Sequence, residues 1–195
     1  MFNIAVLLSG SGTTLQNLID RISDGSLPVK IAGVISSAPG VKGIERAHKH
    51  GLETLVVDYR QYKSNPAAFS QAITGQLQAW QPDLVVMAGF LRLYDFPPQY
   101  EKKIINIHPA LLPKFGGKGM FGLKVQQAIL AAGEKISGCT VHYVDHEYDH
   151  GPTILQLEVP VAPGDTPETL QEKVQAQERI ALPRVIKAFA LGEIK

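Results

Sequence analysis

Short apolar runs at 4–8, 30–35, 54–57, 84–87 and 104–107 alternate with longer segments of helical period at 13–23, 41–50 and 66–80, and with a helical or turn-like connection at 97–102. The runs are too short for helices and apolar on both faces, as strands in the middle of a covered sheet are. Such alternation predicts an α/β fold: a mostly parallel, twisted sheet with helices on both faces. Pro28, Pro39, Pro82 and Pro109 punctuate the connections. After Pro109 the pattern changes. Residues 111–119 hold Pro113, Gly116, Gly117 and Gly119, which no regular element accommodates, so a loop beside a site is expected. A helix over 120–132, strands over 139–144 and 153–161, and a long helix over 166–191 complete the pattern. Asp165-Thr166-Pro167-Glu168 reads as the start of that last helix. No repeat, low-complexity tract or linker divides the chain, and a single domain over 1–195 is expected.

Composition narrows the partners. The chain has 195 residues, 45% of them hydrophobic, with Lys+Arg 19 against Asp+Glu 18 and a formal net charge of +1. That balance leaves no excess of cations to grip a polyphosphate backbone or an anionic membrane, so neither nucleic acid nor membrane is an expected partner. No apolar run approaches the ~20 residues of a bilayer span, and the first residues lead directly into a core-like strand. A soluble, unexported, cytoplasmic protein is expected. Cys139 is the only cysteine, which excludes an intrachain disulfide or a multi-cysteine zinc site and suits a small core residue.

Ser9-Gly10-Ser11-Gly12-Thr13-Thr14 lies between the first strand and the first helix, where open α/β sheets place ligands. Leu15 stands where a dinucleotide fingerprint has its third glycine, and Ile35-Ser36-Ser37 lacks the acid that would hold an adenosine ribose. No Gly-Lys-Ser/Thr follows, so this is not a Walker loop. Two readings stand: a tight turn without a ligand, or a cradle whose free N–H groups take a monophosphate.

Asn106 and His108 close the fifth strand and, two residues apart, share one of its faces. A neutral amide donor beside a titratable ring suits a carbonyl oxygen that gains negative charge. The alternative is a structural histidine with an asparagine capping the turn. Residues 142–151 concentrate His142, Asp145, His146, Glu147, Asp149 and His150 between two strands. The three histidines have the four-residue spacing of helical metal ligands, but a β run precedes them and Gly151-Pro152 follows, so no metal site is expected. Asp149 is expected to pair with a nearby imidazole, the other histidines facing solvent.

Gly10-Ser11-Gly12-Thr13, Met87-Ala88-Gly89-Phe90-Leu91-Arg92, Asn106-Ile107-His108-Pro109-Ala110-Leu111-Leu112-Pro113 and Asp149-His150-Gly151-Pro152 follow one another as in the folate-dependent formyltransferases, which the whole chain resembles. Within them it is most similar to the branch that formylates phosphoribosylglycinamide in purine biosynthesis. The resemblance implies a Rossmann-like formyltransferase fold and transfer of the formyl group of 10-formyltetrahydrofolate to an amine, without metal. It implies that Asn106, His108 and Asp149 are catalytic, His108 as proton donor with Asp149 raising its pKa. Gly12, Thr13, Thr14, Gln175 and Glu178 would hold the ribonucleotide. Arg60, Leu91, Arg92, Leu93, Tyr94, Asn106, Val144, Asp145 and Asp149 would hold the folate. Small-molecule substrates and a monomer or homodimer are implied. The chain departs from the family at Thr14, where Asn is usual, and at Lys124-Val125-Gln126, where a His-x-His is common. Rival readings are formylation of another amine, on a nucleotide sugar or on initiator methionyl-tRNA, a formyltetrahydrofolate hydrolase, and a non-catalytic phosphate-ligand module.

Overall fold

A computed structural model describes residues 1–194. Strands β1 (Phe2–Leu8), β2 (Val29–Ser36), β3 (Thr54–Val56), β4 (Leu84–Met87), β5 (Ile104–His108), β6 (Ile136–Tyr143) and β7 (Thr153–Pro160) form one sheet in the order β3-β2-β1-β4-β5-β6-β7. The first five run parallel, while β6 is antiparallel to β5 and β7 to β6. The helices are α1 (Thr13–Ser23), α2 (Lys42–Lys49), α3 (Pro66–Trp80), α4 (Leu123–Ala131) and α5 (Pro167–Ala190).

The two-residue period of β1 divides the core. Ile4, Val6 and Leu8 point to a layer with Leu15 and Leu18 of α1, Ala47 of α2, Val125 and Ile129 of α4, and Leu170 and Val174 of α5. Ala5 and Leu7 point the other way, onto Phe69, Ile73 and Leu77 of α3. Both faces of the inner parallel strands β1, β4 and β5 are therefore largely dry, which is why their sequences read as apolar runs.

Two expectations need correction. The helix expected from residue 120 begins at Leu123, because Gly119 (φ 89°) and Gly122 (φ 59°) hold backbone conformations no right-handed helix uses. β6 begins at Ile136 instead of Cys139: Ser137 and Gly138 pair with Val159 and Glu158 although neither signals a strand. Gly138 fits there because a Cβ at that position would collide with the Leu157 carbonyl. The connection at 97–102 is a short 3-10 turn, Pro98–Tyr100, and a second such turn, Tyr59–Tyr62, forms where no element was expected. The closing helix runs as expected, started by reciprocal bonds between Thr166 and Thr169, with Pro183 buried in its interior.

After β1 the chain moves outward to β2 and β3, and β4 returns on the other side of β1. The C-terminal ends of β1 and β4 thus flank the point where strand order reverses, the place where open α/β sheets form their crevice.

Candidate active site

That crevice is a cleft of about 520 Å³. One end is built by the glycine loop. Gly12 has φ 69°, and a Cβ there would stand 2.6 Å from the Cα of Gly43, so this position needs glycine both for conformation and for the close approach of α2. No side chain caps α1, leaving the first N–H groups of the helix open toward the end that Gly12, Thr13 and Thr14 line. Gln175 and Glu178 of α5 face this end, and with Arg179 they wall a small adjoining chamber. Ser9 ties the loop to the turn after β4: its N–H donates to the Gly89 carbonyl at 3.0 Å, and its Oγ accepts from the Leu91 N–H at 2.9 Å.

Asn106, His108 and Asp149 converge in the middle. Asn106 and His108 come from β5, an inner strand whose C-terminal end opens on the crevice. Asp149 reaches them from the loop after β6, where it holds φ 54°. A non-glycine residue in that region costs on the order of 1 kcal/mol or more and persists only where the surroundings enforce it. His108 is 3% exposed, and its Nε2 lies 2.9 Å from the Phe115 carbonyl. A carbonyl can only accept, so Nε2 carries a proton, and the nitrogen that gains or loses one is Nδ1, 3.4 Å from Asp149 Oδ1.

The same logic fixes His142. Its Nδ1 lies 2.8 Å from the Tyr143 carbonyl and is the donor, so in the neutral ring Nε2 accepts from Asn106 Nδ2 at 3.0 Å. The other Nδ2 hydrogen of Asn106 points to Asp149 Oδ1 at a long 3.3 Å. One Asn106 hydrogen is anchored and the other is weakly held, available to a stronger acceptor. Asp149 is completed by the Gly117 N–H, 2.9 Å from Oδ2. Burial alone would raise its pKa. The hydrogen bonds that His108 and His142 donate to it when protonated, the charge of His108 and the Gly117 N–H outweigh burial and hold the carboxyl well below the usual carboxylate range.

Beyond this trio lies a second chamber of about 40 Å³, lined by Met87, Phe90, Leu93, Tyr94, Val144 and Glu147 among others. Asn106, Asp149, Phe90, Arg92 and Tyr148 face both spaces, so Asn106 and Asp149 sit at their junction, with His108 on the side of the larger cleft. Tyr94 contributes as a fixed wall: it is buried, its hydroxyl bonds Thr74 at 2.8 Å, and burial pushes its pKa up to about 12.

Of the residues expected in the site, Gly12, Thr13, Thr14, Leu91, Arg92, Leu93, Tyr94, Asn106, His108, Val144, Asp149, Gln175 and Glu178 line these spaces. Two do not. Arg60 forms a fork to Asp58 (2.7 Å), and Asp145 holds His150 (2.7 Å). His142 is the correction among the histidines: expected to face solvent, it is 2% exposed, whereas His146 and His150 are exposed and paired with Asp95 and Asp145. The three do not converge, and among the described residues no group of three or more metal-ligating side chains is gathered. Sequence reasoning also missed Phe90, Lys118 and Arg179 as lining residues. Gln126, within the segment that departs from His-x-His, donates to the Pro109 carbonyl at 2.9 Å and holds the chain leaving β5.

Glu178 makes a pH prediction. Burial pushes its carboxyl from 4.5 up to about 7, with the charges of His108 and Arg179 opposing. The folded state therefore holds a proton that the unfolded state releases, and Glu178 costs stability progressively as pH rises from about 4.5 to about 7. Glu178→Gln is expected to stabilise the ligand-free protein by about 1–2 kcal/mol at pH 8 and to change it little at pH 4.5, read from thermal unfolding at the two pH values.

Comparison with known proteins agrees with this geometry. The family model described as formyl transferase matches residues 2–186. The phosphoribosylglycinamide formyltransferase of Haemophilus influenzae is 39% identical over 100% of this chain and 90% of its own length. The trifunctional purine biosynthetic protein adenosine-3 of Drosophila pseudoobscura pseudoobscura is 41% identical over 98% of this chain, which spans 14% of that much longer protein. The crystal structure of glycinamide ribonucleotide transformylase 1 from Symbiobacterium toebii superposes with a TM-score of 0.89 at 42% identity, covering 98% of this chain and 89% of that one. A family match over nearly the whole length, together with this superposition, leaves one conclusion: the chain belongs to the formyl transferase family.

Proposed function

We propose that this protein transfers the formyl group of 10-formyltetrahydrofolate to the amine of 5'-phosphoribosylglycinamide. The observation that carries this reading is the position of Asn106 and Asp149 at the junction of two spaces, with His108 beside them in the larger one. One has an uncapped helix N-terminus and two threonines for a phosphate. The other is walled by Phe90, Leu93, Tyr94 and Val144, apolar groups suited to a flat heterocycle.

In this reading Gly12, Thr13 and Thr14 hold the phosphate, and Gln175 and Glu178 hold the sugar side of the acceptor. Leu91, Arg92, Leu93, Tyr94 and Val144 flank the pterin. Arg60 and Asp145, which do not line the cleft, act at the outer rim of the folate site. The donor supplies the formyl group and departs as tetrahydrofolate. The amine forms a bond to the formyl carbon, the carbon–nitrogen bond to folate breaks, the folate nitrogen takes up a proton and the amine loses one. Asn106 turns its loosely held Nδ2 hydrogen from Asp149 to the oxygen that gains charge. His108, with Nε2 fixed, delivers its proton from Nδ1, and the ionised Asp149 stabilises the imidazolium beside it. Holding both substrates across one junction makes the attack effectively intramolecular.

An absorbance assay of donor deformylation tests the reading. Rapid deformylation only when phosphoribosylglycinamide is present is expected; equal rates without it select a hydrolase, and no turnover selects a binding module.

A further inference from the structure

The chain after β5 makes a turn whose backbone touches both His108 and Asp149. Phe115, at φ 59°, presents its carbonyl to His108 Nε2 at 2.9 Å. Two residues on, the Gly117 N–H (φ 99°) donates to Asp149 Oδ2 at 2.9 Å. Between them Gly116 packs so closely that a Cβ there would stand 2.6 Å from Leu112 Cδ2 and 3.1 Å from Asp149 Cβ. A bulky residue in the left-handed region, an ion-holding N–H and a glycine with no room for a methyl occupy three consecutive positions.

The turn itself is anchored from outside the site. Thr140 of β6 donates from Oγ1 to the Ala110 carbonyl at 2.7 Å and accepts from the Leu112 N–H at 3.0 Å, while Gln156 of β7 donates to the Leu112 carbonyl at 2.9 Å. The antiparallel half of the sheet thus holds the chain that holds the catalytic pair.

We infer that Phe115, Gly116 and Gly117 are positioning residues: their backbone sets which nitrogen of His108 carries the fixed proton and how far Asp149 stands from the other one. This rests on the catalytic roles proposed above for His108 and Asp149. The Phe115 carbonyl locks the Nε2–H tautomer, so the exchangeable proton sits at Nδ1, facing the carboxylate. Gly117 turns Asp149 by holding its second oxygen, and the bare Gly116 lets the two approach. The titratable groups facing His108 are Asp149 and Glu178, and His142 Nε2 approaches the same Asp149 oxygen at 3.7 Å.

Gly116→Ala tests the inference, because the methyl group must push Asp149 by a few tenths of an ångström or move Leu112. The expected result is a fall in kcat of about 10–100-fold with both KM values within about threefold, and an alkaline limb of the kcat profile that moves to lower pH. In an Asp149→Asn background the same change costs less than about threefold, because both substitutions act through one carboxylate. Losses that multiply in that cycle, or an unmoved pH profile, overturn the inference. Gly117→Ala serves as a second variant: its Cβ meets nothing within 4 Å, but its φ strains the N–H donor out of place. Nitrogen-15 NMR of the histidines in the ligand-free protein reads the same claim without turnover. Neutral His108 is expected as the Nε2–H tautomer in the wild type and as a mixture in Gly116→Ala. A neutral Nδ1–H ring in the wild type, or identical spectra, contradicts it. A wild type lacking formyl transfer but showing the expected tautomers would instead sink the proposed function alone.

Discussion

Asn106→Ala is expected to lower kcat for formyl transfer by on the order of 10²–10³, with KM for either substrate changed by no more than a few fold. The size follows from the hydrogen bonds around the amide. His142 Nε2 holds one Nδ2 hydrogen at 3.0 Å and so fixes the rotation of the side chain. The second hydrogen makes only a 3.3 Å contact with Asp149, which a developing oxyanion replaces at little cost. A donor aimed in advance at the site of charge, in a cleft of limited water, is worth about 3–4 kcal/mol in the transition state and much less in the ground state, which is why kcat and not KM carries the loss. Steady-state kinetics with both substrates, beside a circular dichroism spectrum matching the wild type, checks it. Near-normal turnover would remove Asn106 from the chemistry.

Asp149→Asn is expected to reduce kcat by on the order of 10²–10³ and to move the alkaline limb of its pH profile to lower pH. The wild-type carboxyl stays ionised throughout the working range, because the hydrogen bonds that the two histidines donate when protonated, the His108 charge and the Gly117 N–H outweigh its burial. It is therefore a permanent anion 3.4 Å from His108 Nδ1. Asparagine keeps the size and an acceptor for Gly117 but removes the charge, so the imidazolium loses its partner while the cleft keeps its shape. Stability has its own signature. A carboxyl whose folded pKa lies below its unfolded value near 3.8 contributes stability that is present above pH 3.8 and is lost as pH falls through the folded value. The variant should thus be less stable than the wild type at pH 7 and indistinguishable from it in strong acid. An unchanged rate profile would count against the pairing.

Why these residues could be found from the chain alone is a matter of local geometry. Side chains alternate along a strand, so Asn106 and His108 had to share a face, and a helix after Gly12 had to leave N–H groups free. The parallel sheet was legible because β1, β4 and β5 are largely buried on both faces. His142 was not, since its role depends on the register that sets it opposite Asn106, and a histidine within an acidic, polar stretch carries no sign of burial. Phe115 and Gly117 act through backbone atoms, which every residue has. The start of α4 was misplaced because the apolar Met120 and Phe121 suggest a helix, while the positive φ of Gly119 and Gly122 excludes one. Arg60 looked suited to a carboxylate ligand, and the carboxylate it meets is its neighbour Asp58.

Each of these roles serves one claim, that the junction of the two chambers passes a formyl group from a folate to a phosphorylated glycinamide. The most direct measurement is NMR with 10-formyltetrahydrofolate carrying carbon-13 in the formyl group, incubated with phosphoribosylglycinamide and catalytic amounts of the protein. The label is predicted to appear as a formamide bonded to the glycyl nitrogen, with negligible formate. Label recovered as formate, or left on the folate while both ligands are bound, would contradict the account.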